Sequence, residues 1–242
     1  MARKPSAVPA PDAAPRKPAR EEIVEALMRL AAEQPWFDIE VADIAREAGV
    51  TLSAFRDAFP SKGAVLGGLS RMVDKQVLEG TTDELDDEPS RERLFDVLMR
   101  RLDALSPYKP ALRRIHYALR FDPLALAALN GVALNSQRFM LAAAGIGTEG
   151  PLGRLRLQAA VVAFARTMET WLEDDEPDQA RTLARLDREL TRADRFMERA
   201  DDFRRLTAPF RALGRSLLER RARPRRRSRN EDGEEQAPAA AI

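Results

Sequence analysis

The 242-residue chain contains no cysteine and only one histidine, His116. Disulfides, thiolate metal sites, iron–sulfur clusters and a cysteine nucleophile are therefore excluded, and so is metal binding by several histidines. Aromatic residues make up 6% of the chain, and β-branched runs with period-2 alternation are nearly absent, which argues against sheets. Long apolar runs are missing as well. The longest, Leu124 to Leu134, is broken by Asn130 and falls well short of the roughly 20 residues that span a bilayer. Nor do residues 1–19 read as a secretory leader, because Pro5, Pro9, Pro11, Pro15 and Pro18 interrupt them. The expected location is the cytoplasm. Charge of one sign is also absent: 40 Lys and Arg stand against 39 Asp and Glu, a net +1, which rules out a uniformly basic histone-like protein. Only five of the basic residues are lysine; with 16 prolines and abundant alanine, this reads as GC-rich codon usage. His116 beside Tyr117 has no serine or cysteine partner in a motif, so it reads as a body-core or cavity-wall residue. No catalytic constellation or cofactor motif stands out, and the expectation is a non-enzyme.

What recurs instead is helical spacing. Ile23, Ala26, Leu27 and Leu30 mark a first helix; Val41, Ile44, Ala45 and Ala48 a short second; Phe55, Ala58 and Phe59 a third. Val65, Leu66, Leu69, Met72, Val73 and Val77 carry a longer fourth. The acidic stretch 83–88 then reads as a boundary, and Pro89-Ser90 opens a helix carried by Leu94, Phe95, Leu98, Leu102 and Leu105. Pro107 and Pro110 bracket a turn, Asp122-Pro123 starts a helix to about Ala144, and 145–153 is a loop. The segment 152–172 is helical and ends at Trp171; after an acidic break a last helix runs to about Ala200. The expected class is all-α: a small head over 20–80 and a larger helical body over 89–218. Residues 1–19 and 219–242 are expected to be disordered tails, the second opening with seven arginines between Arg220 and Arg229.

The most informative stretch is 39–59, which fits a helix-turn-helix. Ala45 is small where two helices cross, Gly49 supplies a turn residue tolerant of positive φ, and Val50 points back to the core. Thr51 is a natural N-cap, while Phe55 and Phe59, four apart, share the buried side of the second helix. The first exposed residues of such a helix face the major groove.

The run Ile44-Ala45, Ala48-Gly49-Val50-Thr51, Phe55, Phe59-Pro60-Ser61-Lys62 and Leu66 resembles the head of TetR-type transcriptional regulators over about residues 20–70. That resemblance implies a ligand-responsive repressor acting as a homodimer on double-stranded DNA. It also implies that the last body helices form the dimer and that each body holds a cavity for a small hydrophobic effector. It places Thr51, Leu52, Ser53, Ala54 and Arg56 on the DNA face and Lys62 against phosphate. Leu52 suits a thymine methyl, and Arg56, standing where the family commonly has an aromatic, suits a guanine edge or a phosphate. Phe121, Phe139, Met140, Phe164, Met168 and Trp171 are the expected cavity residues. Over 20–75, seven basic residues meet ten acidic ones, so phosphate contact requires the acids to lie away from the groove or the arginine-rich tails to contribute.

The segment from Trp171 to Asp178, followed by Thr182 and Leu186, also resembles the C-terminal region of the TetR-like lipid-binding accessory proteins of ubiquinone biosynthesis. That alternative implies no DNA binding and peripheral membrane contact through Phe203, Leu206, Phe210, Leu213 and Leu217, spaced 3-4-3-4 among arginines. One further signal is discounted. The run from Gly145 to Gly150 spells a dinucleotide fingerprint, but no strand precedes it and Pro151 follows, so it reads as a helix-to-helix loop.

Overall fold

The computed structural model describes residues 19–80, 87–150, 152–197 and 199. Both expected tails, except Ala19, the 203–217 apolar stripe, the arginine run and most of the 83–88 boundary lie outside the described residues. Among those described there is no strand. The helices are α1 Ala19–Glu33, α2 Val41–Glu47, α3 Leu52–Ala58, α4 Lys62–Glu79, α5 Ser90–Leu105, α6 Lys109–Leu119, α7 Pro123–Ala143, α8 Gly153–Glu173 and α9 over 180–197. Short 3-10 turns at Trp36–Asp38 and Ser106–Tyr108 join α1 to α2 and α5 to α6.

Sequence dictates these ends. Thr51 Oγ1 accepts from Ala54 N at 3.1 Å, Ser61 Oγ from Ala64 N at 3.2 Å, and Asp122 Oδ1 from Leu124 N and Ala125 N, both at 3.0 Å. At α2 the cap is reciprocal: Glu40 and Asp43 close a capping box. Glu21 and Glu22 in the first turn of α1 complement the helix dipole. Where the sequence suggests only a turn bracketed by Pro107 and Pro110, the chain forms α6. Pro110 sits in the first turn of α6, where proline's missing N–H costs nothing.

Helix α1 is the axis of the head. Ile23, Val24, Ala26, Leu27, Met28 and Ala31 are buried, a stripe wide enough to meet α2, α4 and α6 at once. Helix α4 carries the head into the body: it packs on α1 with one face and on α5 and α7 with the other. One apolar cluster runs without a break from Ile23 through Trp171 to Leu190. At the far end, Asp174 Oδ2 accepts from Thr182 N at 2.9 Å and Thr182 Oγ1 at 2.6 Å, which turns α8 into α9. The acidic segment that suggested a lipid-binding relative is this corner, with Trp171 and Leu186 in the core.

Candidate nucleic-acid interface

Between α2 and α3 the chain makes a tight, fully bonded turn. Gly49, at φ +66°, donates its N–H to Arg46 O at 3.1 Å, and Val50 N–H donates to Ala45 O at 2.9 Å. This is a Schellman stop, whose left-handed position selects glycine. The same device explains the discarded fingerprint: Gly145, φ +70°, and Ile146 close α7 by bonds to Ala142 O and Leu141 O, at 2.9 and 2.8 Å.

The turn fixes which side of α3 is free. Phe55 and Phe59 are buried, with ring centroids 6.3 Å apart, so the opposite side faces outward. Thr51, Leu52, Ser53 and Arg56 are exposed there, and Ala54 is half-buried. Leu52, in the first turn, is 57% exposed. Five of the six expected DNA-facing residues thus lie together on, or capping, one short helix. Asp57 is exposed beside Arg56.

Lys62 departs from expectation. Its ammonium donates to Trp36 O at 2.6 Å and Ile39 O at 2.7 Å and lies 4.6 Å from the Trp36 ring centroid. Burial pulls its pKa below the ordinary lysine value, and the Glu40 and Asp38 carboxylates push back. Two of its three N–H groups are thus spent tying the start of α4 to the α1–α2 connection, which leaves at most one for phosphate. Lys62→Met is expected to lose about 1.5–3 kcal/mol of folding stability, the cost of charge-assisted bonds to carbonyls left unpaired. Urea unfolding checks this; a midpoint equal to wild type would show the bonds to be idle.

Two basic side chains that the sequence gave no reason to single out hold the site in place. Arg20, at the start of α1, donates to Ala58 O at 2.5 Å, at the end of α3, and lies 4.9 Å from the Phe59 ring centroid. Arg29 on α1 pairs with Glu47 at the end of α2 at 2.7 Å. Both contacts join residues distant along the chain, with no local signature. The ion pairs of the head leave its charge imbalance nearly unchanged, because a pair within 20–75 removes one charge of each sign and only Asp74 meets a cation from outside that range. Glu47 is paired with Arg29, Asp43 with Arg46 at 3.0 Å, and Asp74 is buried against Arg101.

The expected cavity residues do not share one wall. Met140 and Trp171 are in the closed core, Phe164 lies under Arg101 at 4.9 Å, and Met168 packs partly buried against the core. Phe121 is 83% exposed, stacked on Arg120 at 4.7 Å, and Phe139 is 46% exposed on a groove between α4 and α7. Helical spacing identifies apolar faces but not whether a face closes on a core or on a void.

Known proteins bear on this geometry. No family model matches the chain. It is 32% identical over 114 residues to the nucleoid occlusion factor SlmA of Aliivibrio fischeri (strain MJ11), a match covering 46% of this chain and 58% of that protein. SlmA of Vibrio campbellii is 31% identical over 106 residues, covering 43% and 54%. The chain thus spans little more than half the length of these relatives. Among solved structures, a TetR transcriptional regulator from Nitrosomonas europaea superposes with a TM-score of 0.59 at 22% identity, over 74% of this chain and 99% of that one. A TetR regulator from Rhodococcus sp. RHA1 gives 0.55 at 18% identity, over 72% and 95%. With a bonded helix-turn-helix at one end, a helical body at the other and α4 running between them, the chain has the fold of the TetR transcriptional regulators.

Proposed function

We propose that the protein is a DNA-binding transcriptional regulator that works as a homodimer, with α3 of each subunit in the major groove. The observation that carries this is the outward face of α3: Thr51, Leu52, Ser53 and Arg56 exposed on a helix locked from behind by Phe55, Phe59 and Arg20. Leu52 would meet a thymine methyl and Arg56 a guanine edge or phosphate. Head 20–80 and body 89–218 are the working division. The SlmA matches and the regulator structures support this reading over the lipid-carrier alternative. No helix among the described residues is long and apolar enough to cross a membrane.

Two heads related by a dimer axis read half-sites about one helical turn apart or a little more, so the operator is expected to be palindromic. An effector in the body would act only through unequal affinity for the DNA-competent and incompetent dimers.

Selection of bound sequences from a random duplex library tests the reading. Wild type, and a chain shortened to end near Leu218, are expected to recover one palindrome. Arg56→Ala is expected to bind it about 5- to 150-fold more weakly, the range for losing one good base contact. Enrichment that is sequence-independent and vanishes with the arginine-rich end would refute it.

A further inference from the structure

The residues expected to line an apolar cavity in the body do not share one wall, and a polar cleft is present elsewhere. It lies between the second half of α6, the end of α8 and the start of α9, with a volume of about 330 Å³. That is near the small end of the range of ligand clefts, about 300–1,000 Å³. Its walls carry three guanidiniums, Arg113, Arg181 and Arg185, with His116 and Tyr117, and two carboxylates, Glu169 and Glu173.

Two of the three guanidiniums are held by the protein, and Arg181 is exposed. Arg113 Nε donates to Leu172 O and its Nη2 to Asp175 Oδ1, both at 2.7 Å. A guanidinium has five N–H donors, so among the described residues three of Arg113's are left without a protein acceptor. Arg185 is held by Glu189, 3.3 Å away and itself buried between Arg166, Arg185 and Arg192. The Nε of Arg185 is buried with no hydrogen-bond partner. His116 lies edge-on to Tyr117, ring centroids 6.0 Å apart, on the same wall.

We propose that this cleft binds a small hydrophilic anion that also carries hydroxyl groups, a phosphorylated or carboxylated polyol. Arg113, Arg181 and Arg185 take its charge in fork-like hydrogen bonds, while Glu169 and Glu173 accept from its hydroxyls. The two carboxylates set the class. Inorganic phosphate has at most two hydroxyls to offer them, both on the charged group itself, whereas a polyol anion reaches both carboxylates while its charge meets the guanidiniums. Binding does not depend on the regulator reading; only its consequence does, which would be a shift of DNA affinity through α6, packed on α1 of the head.

Calorimetric titration of the full-length protein with glucose 6-phosphate, citrate, inorganic phosphate and glucose tests the proposal. Glucose 6-phosphate is expected to bind more tightly than inorganic phosphate, with uncharged glucose silent. Arg181→Gln, at an exposed position, is expected to weaken it tenfold or more, which is about 1.4 kcal/mol. Glu173→Gln is expected to narrow the margin over inorganic phosphate. No heat from any anion, or binding that both variants leave unchanged, would overturn the assignment. A protein that binds glucose 6-phosphate but no duplex DNA would overturn the regulator reading and leave this one standing.

Discussion

Asp74→Ala is expected to cost about 3–5 kcal/mol of folding stability, because it strands a buried cation. Asp74 on α4 and Arg101 on α5 are each 5% exposed, with Asp74 Oδ1 3.1 Å from Arg101 Nε and 3.0 Å from its Nη2. Ser136 of α7 donates to the same carboxylate oxygen at 2.7 Å, Ser70 accepts from Arg101 at 3.0 Å, and the Phe164 ring of α8 covers the guanidinium. Burial pulls the Arg101 pKa below the ordinary arginine value, and the Asp74 carboxylate opposes that shift. Without Asp74 the charge has only two hydroxyls and a ring to face. Asp74→Leu combined with Arg101→Met is expected to recover most of the loss, since a buried pair is roughly neutral against apolar residues of similar volume. Urea unfolding at one fixed protein concentration measures both. Equal stability of Asp74→Ala and wild type would mean the pair is solvated.

This network matters to function because it holds the far half of α4, whose near end sets the head. A change that frees α4 is expected to loosen operator binding as well as folding, through geometry rather than a lost DNA contact.

The second large effect is expected at Phe59. It is buried at the end of α3, against Phe55 and under Arg20, and Gly68 of α4 is the hole into which it fits. A Cβ at position 68 would lie 2.7 Å from the Phe59 ring and 2.9 Å from Val24, so α1, α3 and α4 meet there only because residue 68 has no side chain. Phe59→Ala leaves a cavity at that junction and is expected to cost about 3–5 kcal/mol. Phe59→Leu, which keeps most of the volume, is expected to cost much less and to keep DNA binding. If Phe59→Ala unfolds like wild type, α3 is not anchored as described.

The head was legible because its signals are local. Gly49, Thr51, Phe55 and Ser61 each act within four residues of themselves, and the structure uses each as its chemistry suggests. The same holds for Asp122-Pro123 and for the all-helical class. What sequence did not show is long-range. Arg20 reaches Ala58, Lys62 reaches Trp36 and Ile39, and Arg101 reaches Asp74 and Ser136; none has a spacing rule. Lys62 shows how such contacts bear on a role implied by resemblance, since carbonyls 23 and 26 residues earlier hold two of its three N–H groups. The body was the least legible part. Phe121, Phe139 and Trp171 look alike in sequence, yet one is in water, one on a groove and one in the core. The polar cleft assembles residues from three helices, and α6, which supplies its first wall, does not stand out in sequence from the turn that Pro107 and Pro110 mark.

The central claim is that α3, not an arginine-rich tail, holds DNA. Its most direct test is the salt dependence of affinity for the selected palindrome, compared between wild type, Arg56→Ala and the chain ending near Leu218. If α3 reads the site, Arg56→Ala weakens binding and, where Arg56 touches phosphate, lowers the log–log slope by about 1. The shortened chain is then expected to keep its preference for the palindrome over scrambled DNA. Equal binding by wild type and Arg56→Ala, with all affinity lost on shortening, would contradict the account and move the DNA contact off the helix-turn-helix.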